Sequence, residues 1–121
     1  MDRAIKRGDL VYLNFDPIIG SEQGGPRPAV VIQNDIGNKH AHTVIIAPIT
    51  SKTKKTNLPT HVKLTSEHLE RNSMVLLEQI KTVDKSRIDS CIGTLGFDEM
   101  KMIDKALRIS LGMGRYGKRK G

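Results

Sequence analysis

Pro28-Ala29-Val30-Val31-Ile32-Gln33-Asn34 and Thr43-Val44-Ile45-Ile46-Ala47-Pro48-Ile49 decide the fold. Both runs are rich in β-branched residues and too short to stand alone as helices. The turn signals Asn34-Asp35 and Gly37-Asn38 lie between them, so they predict a neighbouring antiparallel pair. Upstream, Asp9-Leu10-Val11-Tyr12-Leu13-Asn14-Phe15 predicts another strand, ended at Asp16-Pro17 because proline has no N–H to continue a ladder. The connecting stretch Gly20-Ser21-Glu22-Gln23-Gly24-Gly25-Pro26 holds three glycines and a proline in seven residues. That composition predicts an exposed loop that lets a ligand approach the main chain closely.

Downstream, Thr50-Ser51-Lys52-Thr53-Lys54-Lys55-Thr56-Asn57 is wholly polar and predicts a mobile basic loop facing water. His61-Val62-Lys63-Leu64 alternates like a half-buried strand, Ser66 to Arg71 fits one helical turn opened by a serine cap, and Ser73-Met74-Val75-Leu76-Leu77 reads as a buried strand. Ile80 to Val83 and Ile88 to Leu95 offer further pairing. From Phe97 to Leu111, Met100, Ile103, Leu107 and Leu111 recur at three- and four-residue steps, predicting an amphipathic helix stopped by Gly112. Asp98 and Glu99 in its first turn, and Lys105 and Arg108 later, suit the helix dipole. One helix cannot cover both faces of so many strands, so a mainly β (α+β) fold is expected, a small, strongly curved antiparallel barrel with a C-terminal amphipathic helix.

A chain of 121 residues and 13.4 kDa suits a single domain. No apolar run is long enough to span a bilayer, the N-terminal residues alternate charges where a secretory signal is apolar, and the lone Cys91 cannot form an internal disulfide, so a cytoplasmic protein is expected. Four of the +7 net charges, Arg115, Lys118, Arg119 and Lys120, lie in the last ten residues, which leaves +3 for the remainder. Between Asp35 and Glu67, Lys39, Lys52, Lys54, Lys55 and Lys63 occur without a carboxylate, a local positive field that draws polyanions or simply solvates one face. With no Trp, two Tyr and two Phe, a broad base-stacking platform is not expected.

Motifs for a metal, a phosphate-binding P-loop or a serine nucleophile elbow do not occur. His40 and His42 read as loop histidines flanking a strand, and Cys91 as a small hydrophobe within one. One juxtaposition stands out. Arg27 begins one strand of the antiparallel pair and Thr50 ends the other, so a guanidinium and a hydroxyl can converge on one anion, with phosphate a good fit. Periodicity alone favours Arg27 as a surface ion-pair residue and Thr50 as an ordinary β-former.

Arg7-Gly8-Asp9-Leu10-Val11-Tyr12, the stretch from Gly20 through Gly24-Gly25-Pro26-Arg27-Pro28 to Asp35, Leu58-Pro59-Thr60-His61-Val62 and Leu76-Leu77-Glu78-Gln79-Ile80 together resemble the MazF/PemK toxin family, in particular its Gram-positive MazF members. The resemblance runs from about Lys6 to Leu111, so a MazF/PemK-like domain is expected over residues 1–111 and a flexible basic tail over 112–121. It implies a homodimeric SH3-like barrel, no metal or other cofactor, and an endoribonuclease that cuts single-stranded RNA, partnered by a MazE-type antitoxin. Carried over by position, it makes Arg27 and Thr50 catalytic. Ser21, Glu22, Gln23 and Gln79 would position RNA, with Lys52, Lys54, Leu58 and Pro59 as further RNA contacts. It also implies attack by the RNA's own 2′-hydroxyl, leaving a 2′,3′-cyclic phosphate and a 5′-hydroxyl. Glu22 is a candidate either to accept that hydroxyl's proton or to orient Arg27, with His61 as another acceptor. The competing expectation is a non-catalytic, gyrase-inhibiting toxin of CcdB type on the same barrel, since fold alone does not separate them.

Overall fold

The computed structural model describes residues 4–52, 58–70 and 72–114. Its elements are β1 (Asp9–Asn14), β2 (Pro26–Val31), α1 (Asp35–His40), β3 (Thr43–Thr50), β4 (His61–Leu64), β5 (Ser73–Leu76), β6 (Lys81–Asp84), β7 (Ile88–Thr94) and α2 (Phe97–Leu111). The expected pair is present, with Ala29 opposite Pro48 and Val31 opposite Ile46. Its connection is more than a turn. Asn34 Oδ1 accepts from Gly37 N at 2.8 Å and caps α1, because an Asn that signals a turn is equally able to start a helix. The 66–70 stretch is a single turn, with His68 N donating to Ser66 Oγ (3.2 Å), and Arg71 lies outside the described residues.

All the strand pairs are antiparallel, and the sheet runs β4-β5-β3-β2-β1-β7 with β6 also on β3. β3 changes partner halfway along. Thr43 to Ile46 pair with β6, and Ile49 and Thr50 pair with β5, while β2 borders residues 46–48 on the other edge. Among the described residues the sheet does not close, since β4 and β7 end the path without pairing each other. The expected barrel is therefore a curled, open sheet with the predicted mainly β content and C-terminal helix.

Curling produces two cores. At the end of β2 and just beyond it, Ala29 and Val31 enter one apolar cluster and Val30 and Ile32 the other, the two-residue period of an extended segment buried on both faces. The first cluster joins Val83 of β6 to Ile88 of β7, so the sheet's own curvature encloses it. The second is covered by β4, β5 and α2, whose Ile103 and Ala106 are buried. Met100 and Leu107 pack at its margin, but Leu111 is 52% exposed. The predicted stripe is thus one residue too long, because periodicity aligns a face without saying where its partner surface ends. Two polar contacts fix the helix: Ser110 Oγ donates to Leu77 O (2.7 Å), and Arg7 Nη2 pairs with Asp104 Oδ1 (2.7 Å). Gly112, at φ 66°, ends it in the left-handed conformation.

Ile103→Ala should cost about 2–5 kcal/mol because it leaves a cavity under α2. Leu111→Ala should change stability by less than about 0.5 kcal/mol, as exposed substitutions do. Urea denaturation of both variants checks which face of the helix packs.

Candidate active site

The register of β2 and β3, continued past Ala29 and Pro48, sets Arg27 opposite Thr50. The side chains follow. Arg27 Nε donates to Gly24 O at 2.8 Å and Nη1 reaches Ile49 O at 3.4 Å, so the guanidinium is aimed along the end of β3. Thr50 is only 4% exposed, and its Oγ1 accepts from Lys52 N at 3.1 Å. A hydroxyl has one donor besides its lone pairs, so accepting from Lys52 leaves the O–H to donate. Arg27, Thr50 and Lys52 share a cavity of about 310 Å3, which Tyr12 also lines. The held guanidinium and hydroxyl, with Lys52 beside them, offer donors to one phosphate group next to one aromatic ring, and the Glu70 carboxylate lines the same cavity.

A second cavity, of about 760 Å3, gathers Ser21, Glu22, Gln23 and Gln79. Both lie along β3, with Pro48 lining this one and Ile49 the other. Gly25, with φ 74°, turns the loop between them, and its N–H donates to Asp16 Oδ1 at 3.0 Å. Gln79 belongs to a 3-10 turn (Leu77–Gln79) that replaces the expected end of β5, and its Oε1 accepts from Gln23 N at 2.8 Å. The glycine-rich loop is thereby tied to β3's neighbour.

Several expectations meet different geometry. Glu22 Oε1 accepts from Ile19 N (3.1 Å), and among the described residues Glu22 forms no hydrogen bond with Arg27, so it shapes its own loop rather than orienting the arginine. Leu58 and Pro59 lie just before β4 and line neither cavity. Lys54 lies outside the described residues, as do Lys55 and the segment 115–121. His61 is likewise outside both cavities: Nδ1 accepts from Leu58 N (3.2 Å) and Nε2 faces Glu78 Oε2 (2.9 Å), which fixes the proton on Nε2. His68 and Glu70, which sequence reasoning passed over, line the Arg27–Thr50 cavity. No motif marks them, because they reach it only through tertiary packing.

A model of the PemK-like, MazF-like toxins of type II toxin-antitoxin systems matches residues 6–111. The chain is 48% identical over 111 residues to Endoribonuclease EndoA of Bacillus subtilis (strain 168), covering 90% of this chain and 96% of that one. The crystal structure of MazF (Form-I) from Deinococcus radiodurans shares the fold at a TM-score of 0.80 and 32% identity, over 93% of this chain and 100% of that one. The MazE-MazF (Form-II) crystal structure from the same organism gives 0.74 at 32% identity, again over 93% and 100%. The chain belongs to the PemK-like, MazF-like toxin family of type II toxin-antitoxin systems.

Beside the site, Glu78 Oε1 accepts from Thr60 Oγ1 (2.7 Å) while Oε2 faces His61. Partial burial pushes the Glu78 carboxyl up, but the hydrogen bonds from Thr60 and His61 outweigh it and hold the group below its ordinary 4.5. A carboxylate lowered on folding stabilises the protein above its unfolded value and loses that contribution as pH falls through the folded one. Wild type should therefore be more stable than Glu78→Gln at pH 6–7, and the gap should narrow below about pH 4.5. Urea denaturation of both proteins across this range checks it, and a gap that widens on acidification contradicts it.

Proposed function

We infer that this chain is the endoribonuclease toxin of a type II toxin-antitoxin pair, and that it cuts single-stranded RNA at the Arg27–Thr50 cavity. The reading is carried by the convergence of Arg27 and Thr50 at one cavity. The 48% identity to a curated endoribonuclease supports it.

The 2′-hydroxyl beside the cut attacks the phosphorus, the bond to the 5′-oxygen breaks, and a 2′,3′-cyclic phosphate and a 5′-hydroxyl remain. Because the nucleophile belongs to the RNA, the protein has to hold the phosphate in line and neutralise the charge that grows on its oxygens. Arg27 meets that charge with a fork of donors that keeps its protons. Thr50 donates one hydrogen bond to a phosphate oxygen, and Tyr12 offers a stacking face to a neighbouring base. Ser21, Glu22, Gln23 and Gln79 line the second cavity and would hold the flanking nucleotides. Lys52 adds positive charge at the site, and Lys54, Leu58 and Pro59 would be further RNA contacts outside the two cavities.

The toxin acts as a cytoplasmic homodimer through residues 1–111, with 112–121 as a basic tail. Its inhibitor is a MazE-type antitoxin, an assignment supported by the MazE-MazF structure of the Deinococcus radiodurans relative. An acidic segment laid over Lys52 and Arg27 would mask the phosphate site.

Arg27→Ala and Thr50→Ala should each slow single-turnover cutting of a long RNA in EDTA by at least about 10²–10³ while the protein stays folded with a cooperative thermal transition. Near-normal cutting by either variant removes that residue from the site. Once the cut is mapped, replacing the 2′-hydroxyl there by hydrogen should abolish cleavage and preserve most binding; continued cutting refutes the chemistry.

A further inference from the structure

Cleavage by a neighbouring 2′-hydroxyl needs a group to take that hydroxyl's proton. An arginine, a lysine or a tyrosine reaches neutral pH with its proton in place, so of the side chains lining the Arg27–Thr50 cavity the serviceable acceptors are His68 and Glu70. Glu22 and His61 lie outside this cavity and bond elsewhere, to Ile19 N and to Leu58 N and Glu78 respectively.

His68 has a built seat. A Cβ at Gly93 would stand 2.6 Å from His68 Cδ2, 2.8 Å from Cγ and 3.2 Å from Nε2, so the imidazole occupies space that only a glycine leaves. β7 bulges at that place: Leu10 pairs with Gly93 and Val11 with Cys91, which leaves Ile92 as the extra residue, and Ile92 lines the cavity. Bulges of this kind re-aim side chains beside active sites. On its own loop, the His68 N–H is held by Ser66 Oγ at 3.2 Å, and Nε2 stands 4.0 Å from Glu67 Oε1. The ring is 45% exposed, open to a ligand in the cavity yet braced from beneath.

We propose that His68 is the general base of the RNA cleavage, its imidazole taking the 2′-hydroxyl proton while Arg27 and Thr50 hold the phosphate. As the 2′-oxygen–phosphorus bond forms and the bond to the 5′-oxygen breaks, the departing oxygen takes a proton from water, and the imidazolium later returns one to solvent. The proposal rests on the endoribonuclease reading above.

The test uses the full chain and an RNA oligonucleotide spanning a mapped cut, under single-turnover conditions. His68→Ala should slow cleavage by about 10²–10⁴ while affinity for the 2′-deoxy oligonucleotide stays unchanged. Added imidazole should restore part of the rate to His68→Ala and none to Arg27→Ala. Gly93→Ala should push the ring from its seat and reproduce part of the loss, with no further loss when combined with His68→Ala. A His68→Ala protein that cuts normally overturns the proposal. So does one whose slow cutting imidazole fails to raise, or a loss that follows Glu70→Gln instead. If the wild-type protein itself leaves RNA intact, the endoribonuclease reading fails and the base falls with it; a cutting wild type beside an indifferent His68→Ala sinks the base alone.

Discussion

β3 carries three strands, and the fold and the site both depend on how it shares its edges. Its first half is bound to β6 and its second half to β5, with β2 along the opposite side. A strand that serves two partners on one edge forces the sheet to curl, and that curl encloses one apolar cluster while β4, β5 and α2 cover the other. The same arrangement ends β3 at Thr50, opposite Arg27. A cationic head and a hydroxyl therefore meet at a sheet end as a consequence of the pairing, with no long flexible connection between them to be ordered on binding. Such preorganisation is what makes donors effective toward charge that develops only in the transition state.

The loops add what the sheet lacks. Gly24 O and Ile49 O both receive hydrogen bonds from Arg27, which restrict the freedom of its long side chain, and Gln79 ties the glycine-rich loop through Gln23 N. Next to it on the same 3-10 turn, Glu78 gathers Thr60 and His61 from the start of β4. The Leu58-to-Val62 and Leu76-to-Ile80 segments are thus joined in space, although they are separate in sequence. Two cavities along β3 result, one that gathers Arg27 and Thr50 and one where Ser21, Glu22, Gln23 and Gln79 stand among apolar neighbours such as Phe15 and Ile80.

Much of this was legible beforehand, for definite reasons. β-branched runs at Val30-Val31-Ile32 and Val44-Ile45-Ile46 announce strands, and an antiparallel pair places the start of one beside the end of the other, so the meeting of Arg27 with Thr50 follows from local reading. What failed depended on partners the sequence does not name. Asn34 signals a turn and caps a helix equally well, so α1 was not anticipated. Leu111 continues the apolar period of α2 yet extends past the surface that Ile103 and Ala106 cover. Glu22 is near Arg27 in the chain, but a backbone N–H three residues upstream claims it. His68 is visible only once β7 brings Gly93 beneath its ring.

In this reading Arg27 and Thr50 grip one phosphodiester together. Single-turnover cleavage by Arg27→Ala, Thr50→Ala and the combined variant measures it directly, since groups acting on one reacting centre as a unit are far from additive. The double variant should be little slower than the worse single one. Losses that simply multiply would show two residues contributing independently, against a joint grip on one reacting centre.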